Sequence, residues 1–392
     1  MTSDVSRRAR RVAQRTESFT ESVIREMTRI AVEHDAINLA QGFPDFPAPE
    51  LLKEAACAAI RGDINQYAVT WGSPRLRRAL VEKYAAFYAL EVDGERELTV
   101  TCGATEAMAA ALLAVVDPGE EVIVFEPFYE NYGPDAILCG ASPVYVPLDP
   151  SSGPDLERLS AAFSERTRVI IINTPNNPGG WVFSRVELEA IAELCLRHDV
   201  IAVTDEIYEH ILYDGEHIPL ASLAGMRERT ITISGFSKTF SVTGWRVGTM
   251  LAPPALTAAI RKVHDFLTVG APAPLQDACA AGVEQLDARY YAALAEAYRE
   301  RRDLLVAALQ AAGFDCTAPR GAYYVLAEFS AISDLDDVAF SRWLTREVGV
   351  APVPGSSFYS QPAAGRGRVR FAFCKRLETL EQAGERLRAL GA

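Results

Sequence analysis

The chain has 392 residues, with 39 Lys and Arg against 52 Asp and Glu, a net charge of −13, and 49% hydrophobic residues. Single cores stop growing at roughly 250 to 300 residues, so two domains, or a large domain with a smaller appendage, are expected. The composition is that of a soluble globular protein, and an acidic balance excludes duplex nucleic acids and anionic membrane surfaces as partners, since both call for a basic face.

The first eighteen residues, MTSDVSRRARRVAQRTES, are Arg-rich but have no apolar stretch behind them and include Asp4 and Glu17. They read as a flexible arm and not as a secretory signal. Cys57, Cys102, Cys139, Cys195, Cys279, Cys316 and Cys374 are widely spaced, with no CxxC pair and no histidine cluster beside them. That spacing indicates neither a disulfide framework nor a metal site, and it fits buried thiols in the cytoplasm. The longest apolar run, Ala107 to Val116, is far short of the ~20 residues a membrane-spanning helix needs.

From about residue 98 to 252 short β-branched runs alternate with amphipathic stretches. LTVTCG (98–103) precedes a helix over Thr105–Val116, whose apolar positions Ala107, Met108, Ala111, Leu112 and Val115 recur at helical spacing. EVIVF (121–125), VIIIN (169–173), VIAVTD (200–205) and TITIS (230–234) follow. Strands apolar on both faces belong in a parallel sheet covered by helices on each side, so the class is α/β. Between two of them, SRVELEAIAELCLRHD predicts a helix with Ser184 as cap, Glu187 completing a capping box, and Leu188, Ile191, Leu194 and Cys195 as its apolar stripe. A long helix from about residue 288 to Gly313 leads to short strands, YYVLAEF (323–329) and VRFAF (369–373), which suggest a separate α+β unit.

Four strand ends carry chemistry. SGFSKTFSVTGWRVG (234–248) places Lys238 in a run with no other charge until Arg246. Such a lysine is either a surface-loop residue or a desolvated amine suited to Schiff-base chemistry with a carbonyl. Asp205 falls at the carboxyl end of an apolar strand, where open α/β sheets bind ligands. It is either a helix cap or a carboxylate that holds a proton on a heterocyclic nitrogen, with Tyr208 offering a hydroxyl nearby. Asn177, in TPNNPGG after VIIIN, either makes a turn or donates to a ligand oxygen. In TCGATEAM, Gly103 precedes a helix whose free amides at Ala104 and Thr105 could hold a phosphate, with Arg246 adding a bidentate contact. Each loop is weak alone, and their convergence at one sheet edge is the stronger expectation. The five histidines are scattered without ligand spacing.

GFSKTFSVTGWRVG resembles the lysine segment of class I aminotransferases, the pyridoxal-phosphate enzymes of fold type I. The resemblance continues in order through NLAQGFPDFPAPE (38–50), NQYAVTWGSP (65–74), EPFYENYGP (126–134), NTPNNPGGWVFS (173–184), TDEIYEHILYDG (204–215) and RFAFCK (370–375). These blocks are most similar to the kynurenine/glutamine aminotransferase and cysteine-S-conjugate β-lyase branch. The resemblance implies a large three-layer α/β/α domain with a mostly parallel sheet plus a smaller α+β C-terminal domain. Residues 1–45 would be an arm and a segment joining the small domain, 46–287 the cofactor domain and 288–392 the small domain.

By that resemblance Lys238 forms the aldimine with pyridoxal 5'-phosphate, Asp205 pairs with the pyridine nitrogen, and Asn177 and Tyr208 bind the ring hydroxyl oxygen. Ala104, Thr105 and Arg246 hold the phosphate, joined by Ser237 or Ser234, because Gly235 stands where some members carry a phosphate-binding serine. Tyr67 reaches the phosphate of the partner subunit, which implies a homodimer, and Tyr129 stacks on the ring. Arg370, with Asn177 and the Gly42 backbone, holds the substrate α-carboxylate. The expected activity is ping-pong transfer of an amino group between an α-amino acid and a 2-oxo acid. A C–S β-lyase on the same site is the enzymatic alternative. A non-catalytic ligand-sensing domain is the alternative of another class, disfavoured because too few residues precede the matching blocks for a DNA-binding domain. Val269 and Gly270 stand where the animal kynurenine enzymes place aromatic or histidine residues, so kynurenine itself is not expected. With no second arginine placed for a side-chain carboxylate, a neutral or aromatic donor is expected.

Overall fold

Apolar runs with no polar face become the centre of an eight-stranded sheet in the computed structural model, which describes residues 12–149 and 151–390. Most of the Arg-rich arm, residues 1–11, lies outside the described residues. In chain order the first half holds α1 (Val23–Glu33), β1 (Ile37–Asn38), α2 (Glu50–Arg61), α3 (Pro74–Tyr88), β2 (Leu98–Thr101), α4 (Gly103–Val115), β3 (Glu121–Glu126), α5 (Tyr132–Leu138), β4 (Ser142–Asp149), β5 (Gly153–Pro154), α6 (Leu156–Ala162) and β6 (Thr167–Asn173). The second half holds α7 (Arg185–His198), β7 (Ile201–Asp205), β8 (Thr230–Gly235), β9 (Gly248–Leu251), α8 (Pro254–Thr268), α9 (Ala273–Gln285), α10 (Ala288–Ala311), β10 (Tyr324–Glu328), α11 (Asp337–Trp343), β11 (Val350–Ala351), β12 (Val353–Pro354), β13 (Arg368–Ala372) and α12 (Leu377–Leu387).

The large sheet has the order β2-β9-β8-β7-β6-β3-β4-β5. β8, β7, β6, β3 and β4 are parallel, while β9 runs antiparallel to both β8 and β2. Two reversals restore direction, so β2 points the same way as the parallel strands and its carboxyl end lies at their edge. Successive side chains of a strand face opposite sides, and the sheet divides them accordingly. Val122, Val124, Val169, Ile171 and Val203 enter a core with α4 and α5. Ile123, Phe125, Ile170, Ile172 and Ala202 enter another with α6 and α7. Each core is built from buried aliphatic chains worth about 1.5–3 kcal/mol apiece.

The capping box of α7 forms as expected: the Ser184 side chain accepts from the Glu187 amide, and the Glu187 carboxylate accepts from the Ser184 amide at 2.6 Å. The strand expected over 98–103 stops at Thr101, because Gly103 adopts a positive φ of 80° and opens α4 two residues before its expected start. Strands β4 and β9 were not expected. Two prolines, Pro143 and Pro147, disguise β4, and β9 is a four-residue run behind a polar loop. At the C-terminal side, β10, β13 and β12 form a three-stranded antiparallel sheet. Its core, with α10 and α12, also takes in Leu39 and, from the loop after β7, Tyr208 and Ile211. β1 pairs in parallel with β11, Ile37 opposite Val350. Among the described residues no helix is long and apolar enough to cross a membrane.

Candidate active site

The loops leaving β2, β6, β7 and β8 open into one cavity of about 510 Å³, within the range of small-molecule sites. Gly42, Ala104, Thr105, Tyr129, Asn177, Asp205, Tyr208, Ser237, Lys238, Arg246 and Arg370 all line it. Tyr67 does not: the residue is 87% exposed and outside the cavity wall. Of the two candidate serines, Ser237 faces the cavity, whereas Ser234 donates its hydroxyl to the buried Glu209.

Asp205 ends β7 in register with Asn173 on β6 and Ile233 on β8. It caps no helix, since the next helical turn begins at Leu220. Burial pushes its carboxyl up, and two donors oppose that shift: the Tyr132 hydroxyl at 2.7 Å and the Ile207 amide at 3.3 Å. The neighbouring loop is fixed through Asn173, which donates to the Asp205 carbonyl at 2.8 Å and accepts from the Asn177 amide at 2.7 Å. Asn177 is thereby held with its side-chain oxygen on Arg370, at 2.9 Å from Nη1.

Arg370, on β13, has no exposed surface. Its Nη2 donates to the Ala40 carbonyl at 2.6 Å, and its guanidinium lies over the rings of Tyr324 and Phe358, 4.2 and 4.8 Å from their centroids. Nε has no hydrogen-bond partner, and no carboxylate among the described residues pairs with the charge. A buried cation without an anion is costly, and a carboxylate entering the cavity would supply the missing charge in bidentate form.

Lys238 sits on the loop after β8, its Nζ 3.4 Å from the Gly42 carbonyl and near the rings of Tyr208 and Tyr323. Burial pushes its pKa down to about 8, and the cations Arg246 and Arg370 push the same way against Cys374 and Asp205. The amine is therefore neutral for part of the time near neutral pH, as a nucleophile must be. Gly42 is held close by the Tyr323 hydroxyl, which donates to its carbonyl at 2.9 Å, and a side chain there would strike the Tyr324 hydroxyl.

At the edge reached by β2, the first turn of α4 presents the free amides of Ala104 and Thr105. Gly103 is required before them, because a Cβ at its left-handed backbone would overlap the Arg246 guanidinium. An unfilled helix N-terminus with an adjacent guanidinium is an anion site. Phosphate at that end, Asp205 for a ring nitrogen, Lys238 for a carbonyl and Tyr129 for an aromatic face make a donor set that fits pyridoxal phosphate.

Several site residues were not recognised from the sequence. Tyr132 lies three positions beyond Tyr129, with ring centroids 5.7 Å apart, and opens a helix of only seven residues, too short to give a periodic signal. Tyr324, on β10, meets the Tyr208 hydroxyl at 3.2 Å. Asp135, one turn beyond Tyr132, reaches the cavity with Oδ2 unbonded, and burial pushes its carboxyl up to about 7. Arg25 of α1 also stands in the wall.

The fold and this site define a pyridoxal-phosphate-dependent aminotransferase of fold type I. The chain belongs to the aminotransferase class I and II family, whose sequence profile matches residues 34–387. It is 41% identical to a probable N-succinyldiaminopimelate aminotransferase of Mycobacterium tuberculosis, covering 96% of this chain and 98% of that one. It is 39% identical to the methionine aminotransferase of Escherichia coli, over 94% and 96%, and 38% identical to human kynurenine–oxoglutarate transaminase 1, over 93% and 94%. The solved structure of the M. tuberculosis N-succinyldiaminopimelate aminotransferase superposes with a TM-score of 0.94, covering 97% of this chain and all of that one. The protein is a transaminase acting on amino acids and 2-oxo acids.

Proposed function

We propose that the chain moves an amino group from a neutral or aromatic α-amino acid to a 2-oxo acid in two half-reactions that share one cavity. Pyridoxal phosphate, when bound, supplies an electron sink for the electrons left as the Cα proton departs. The residues around it do the rest. Asp205 keeps a proton on the ring nitrogen, and the Tyr132 hydroxyl and the Ile207 amide orient its two oxygens. Asn177 and Tyr208 donate to the ring oxygen. Ala104, Thr105, Ser237 and Arg246 hold the phosphate. Arg370 grips the substrate α-carboxylate in a planar fork, with Asn177 and the Gly42 backbone alongside, and so fixes which bond at Cα faces the reacting plane. With the cofactor in place, Lys238 would take the substrate Cα proton as general base and later return it as acid. Tyr129 covers the ring.

The observation that carries this reading is the pairing, in one cavity, of an amine softened by burial with a fully buried guanidinium that lacks an anion. The aromatic wall of Phe43, Tyr129 and Tyr324 supports a neutral or aromatic donor. Residues 46–287 form the cofactor domain and 288–392 the small domain, which the segment within 1–45 joins, in keeping with the pairing of β1 with β11. The exposed ring of Tyr67 suits a residue that serves the site of a second copy, so the working unit is a homodimer. Free thiols at all seven cysteines, five of them buried, suit the cytoplasm.

Lys238→Ala tests the assignment. The variant is expected to lose the visible absorption of bound cofactor and at least about 10²-fold in turnover, the usual weight of a positioned acid–base group. Turnover at the wild-type rate with Lys238→Ala would refute the mechanism.

A further inference from the structure

Four cationic side chains stand in the cavity wall: Lys238, Arg246, Arg370 and Arg25. Three have a place in the reading above, Lys238 as the amine, Arg246 at the phosphate and Arg370 at the α-carboxylate. Arg25 has none, and nothing in its own helix accounts for it. Ser22 caps α1 and accepts from the Arg25 amide at 3.3 Å, which makes Arg25 the third helical residue. That is the slot that a capping box fills with Glu or Gln, as α7 does with Glu187. A cation there also opposes the helix dipole, so the residue lowers the stability of its own helix. Its guanidinium is exposed and makes no hydrogen bond or ion pair among the described residues. Glu130, in the same wall, is engaged by the Ser22 hydroxyl, and this bond ties the start of α1 to the loop before α5. The start of α1 is thus fixed at the cavity with a guanidinium that no side chain bonds; Glu21, which feels its charge, is ion-paired to Arg29 instead.

Local rules of helix design are broken mainly at functional positions. Resting on the assignment of Arg370 to the α-carboxylate, we propose that Arg25 binds the distal carboxylate of a dicarboxylic substrate, the acidic amino acid or 2-oxo diacid of one half-reaction. The neutral donor of the other half-reaction lies against the aromatic wall without using Arg25. This gives one cavity two modes of holding a side chain, as a ping-pong enzyme with unlike substrates requires.

The test uses the holoenzyme and two unreactive probes, glutarate with two carboxylates and butyrate with one, titrated by calorimetry. Wild type is expected to bind glutarate more tightly than butyrate. Arg25→Gln should weaken glutarate about tenfold, the lower end for a charge-assisted contact, and leave butyrate within about twofold; Arg25→Lys should keep part of the difference. The ratio of kcat/KM for a 2-oxo diacid over a neutral 2-oxo acid should fall in parallel. Because Arg25→Gln completes a capping box, the variant should melt no lower than wild type, which separates lost binding from lost folding. Glutarate binding unchanged by Arg25→Gln, or glutarate and butyrate weakened alike, overturns the proposal. Butyrate binding indifferent to Arg370→Gln instead overturns the α-carboxylate assignment beneath it.

Discussion

Asp135 offers a measurement that depends on burial alone. Its carboxyl titrates at about 7 against an ordinary 3.8, because the side chain is 93% enclosed and Oδ2 finds no donor. A group whose pKa is raised on folding stabilises fully below its unfolded value, and that contribution disappears as pH climbs through the folded value. At about 1.4 kcal/mol for each tenfold change in proton concentration, ionisation removes about 4 kcal/mol in all, of which about 2 to 3 kcal/mol falls between pH 5 and 8. Asp135→Asn keeps the size and polarity of the protonated acid but cannot ionise. Urea unfolding of the two holoenzymes at pH 5, 6, 7 and 8 should show the variant gaining on wild type by that amount as pH rises. Parallel pH curves would mean that the carboxyl is solvated or paired, and the reasoning from burial would fail.

Tyr132→Phe removes the hydroxyl that meets Asp205 and should cost about 10- to 100-fold in cofactor affinity or turnover, the weight of a hydrogen bond to a charged group; fluorescence titration with cofactor and steady-state rates check it, and wild-type values in both would dismiss the contact. Uptake of pyridoxal phosphate by the cofactor-free chain should quicken with pH and level off above about 8, where the Lys238 amine is neutral; a flat profile in stopped-flow absorbance would contradict the lowered pKa. Gly103→Ala forces a side chain into a left-handed backbone and against Arg246, so cofactor retention on dialysis should fall by the equivalent of about 1–3 kcal/mol while circular dichroism stays unchanged.

Much of this site was legible because α/β sheets place function where apolar strands end. Asp205 and Asn177 each follow a run with no polar face, and Lys238 follows TITIS, whose Thr230, Thr232 and Ser234 share one uncharged face; a charge or amide after such runs marks them in the sequence. What was illegible depends on chain segments distant in sequence. Arg370 could be suspected from a resemblance, but its isolation from any carboxylate needs Ala40, Asn177 and two aromatic rings brought together from four parts of the chain. Tyr132 sits in a seven-residue helix too short for periodicity to announce. Arg25 lies on a helix whose apolar residues Ile24, Met27 and Ala31 face the interior, and nothing in that pattern reveals that its start borders the cavity. β4 was hidden by prolines, whose missing amide argues against a strand wherever the sheet edge is not yet known.

The reversed strand β9 has a thermodynamic consequence. Gly235 at the end of β8 and Gly248 at the start of β9 are register partners, and the chain between them carries both Lys238 and Arg246. The loop leaves the sheet and returns beside its own point of departure, so its closure entropy is settled when the protein folds. The amine and the guanidinium keep their separation whether or not a cofactor is present. Binding then has little ordering left to accomplish, and the cofactor-free chain should hold its cradle already assembled.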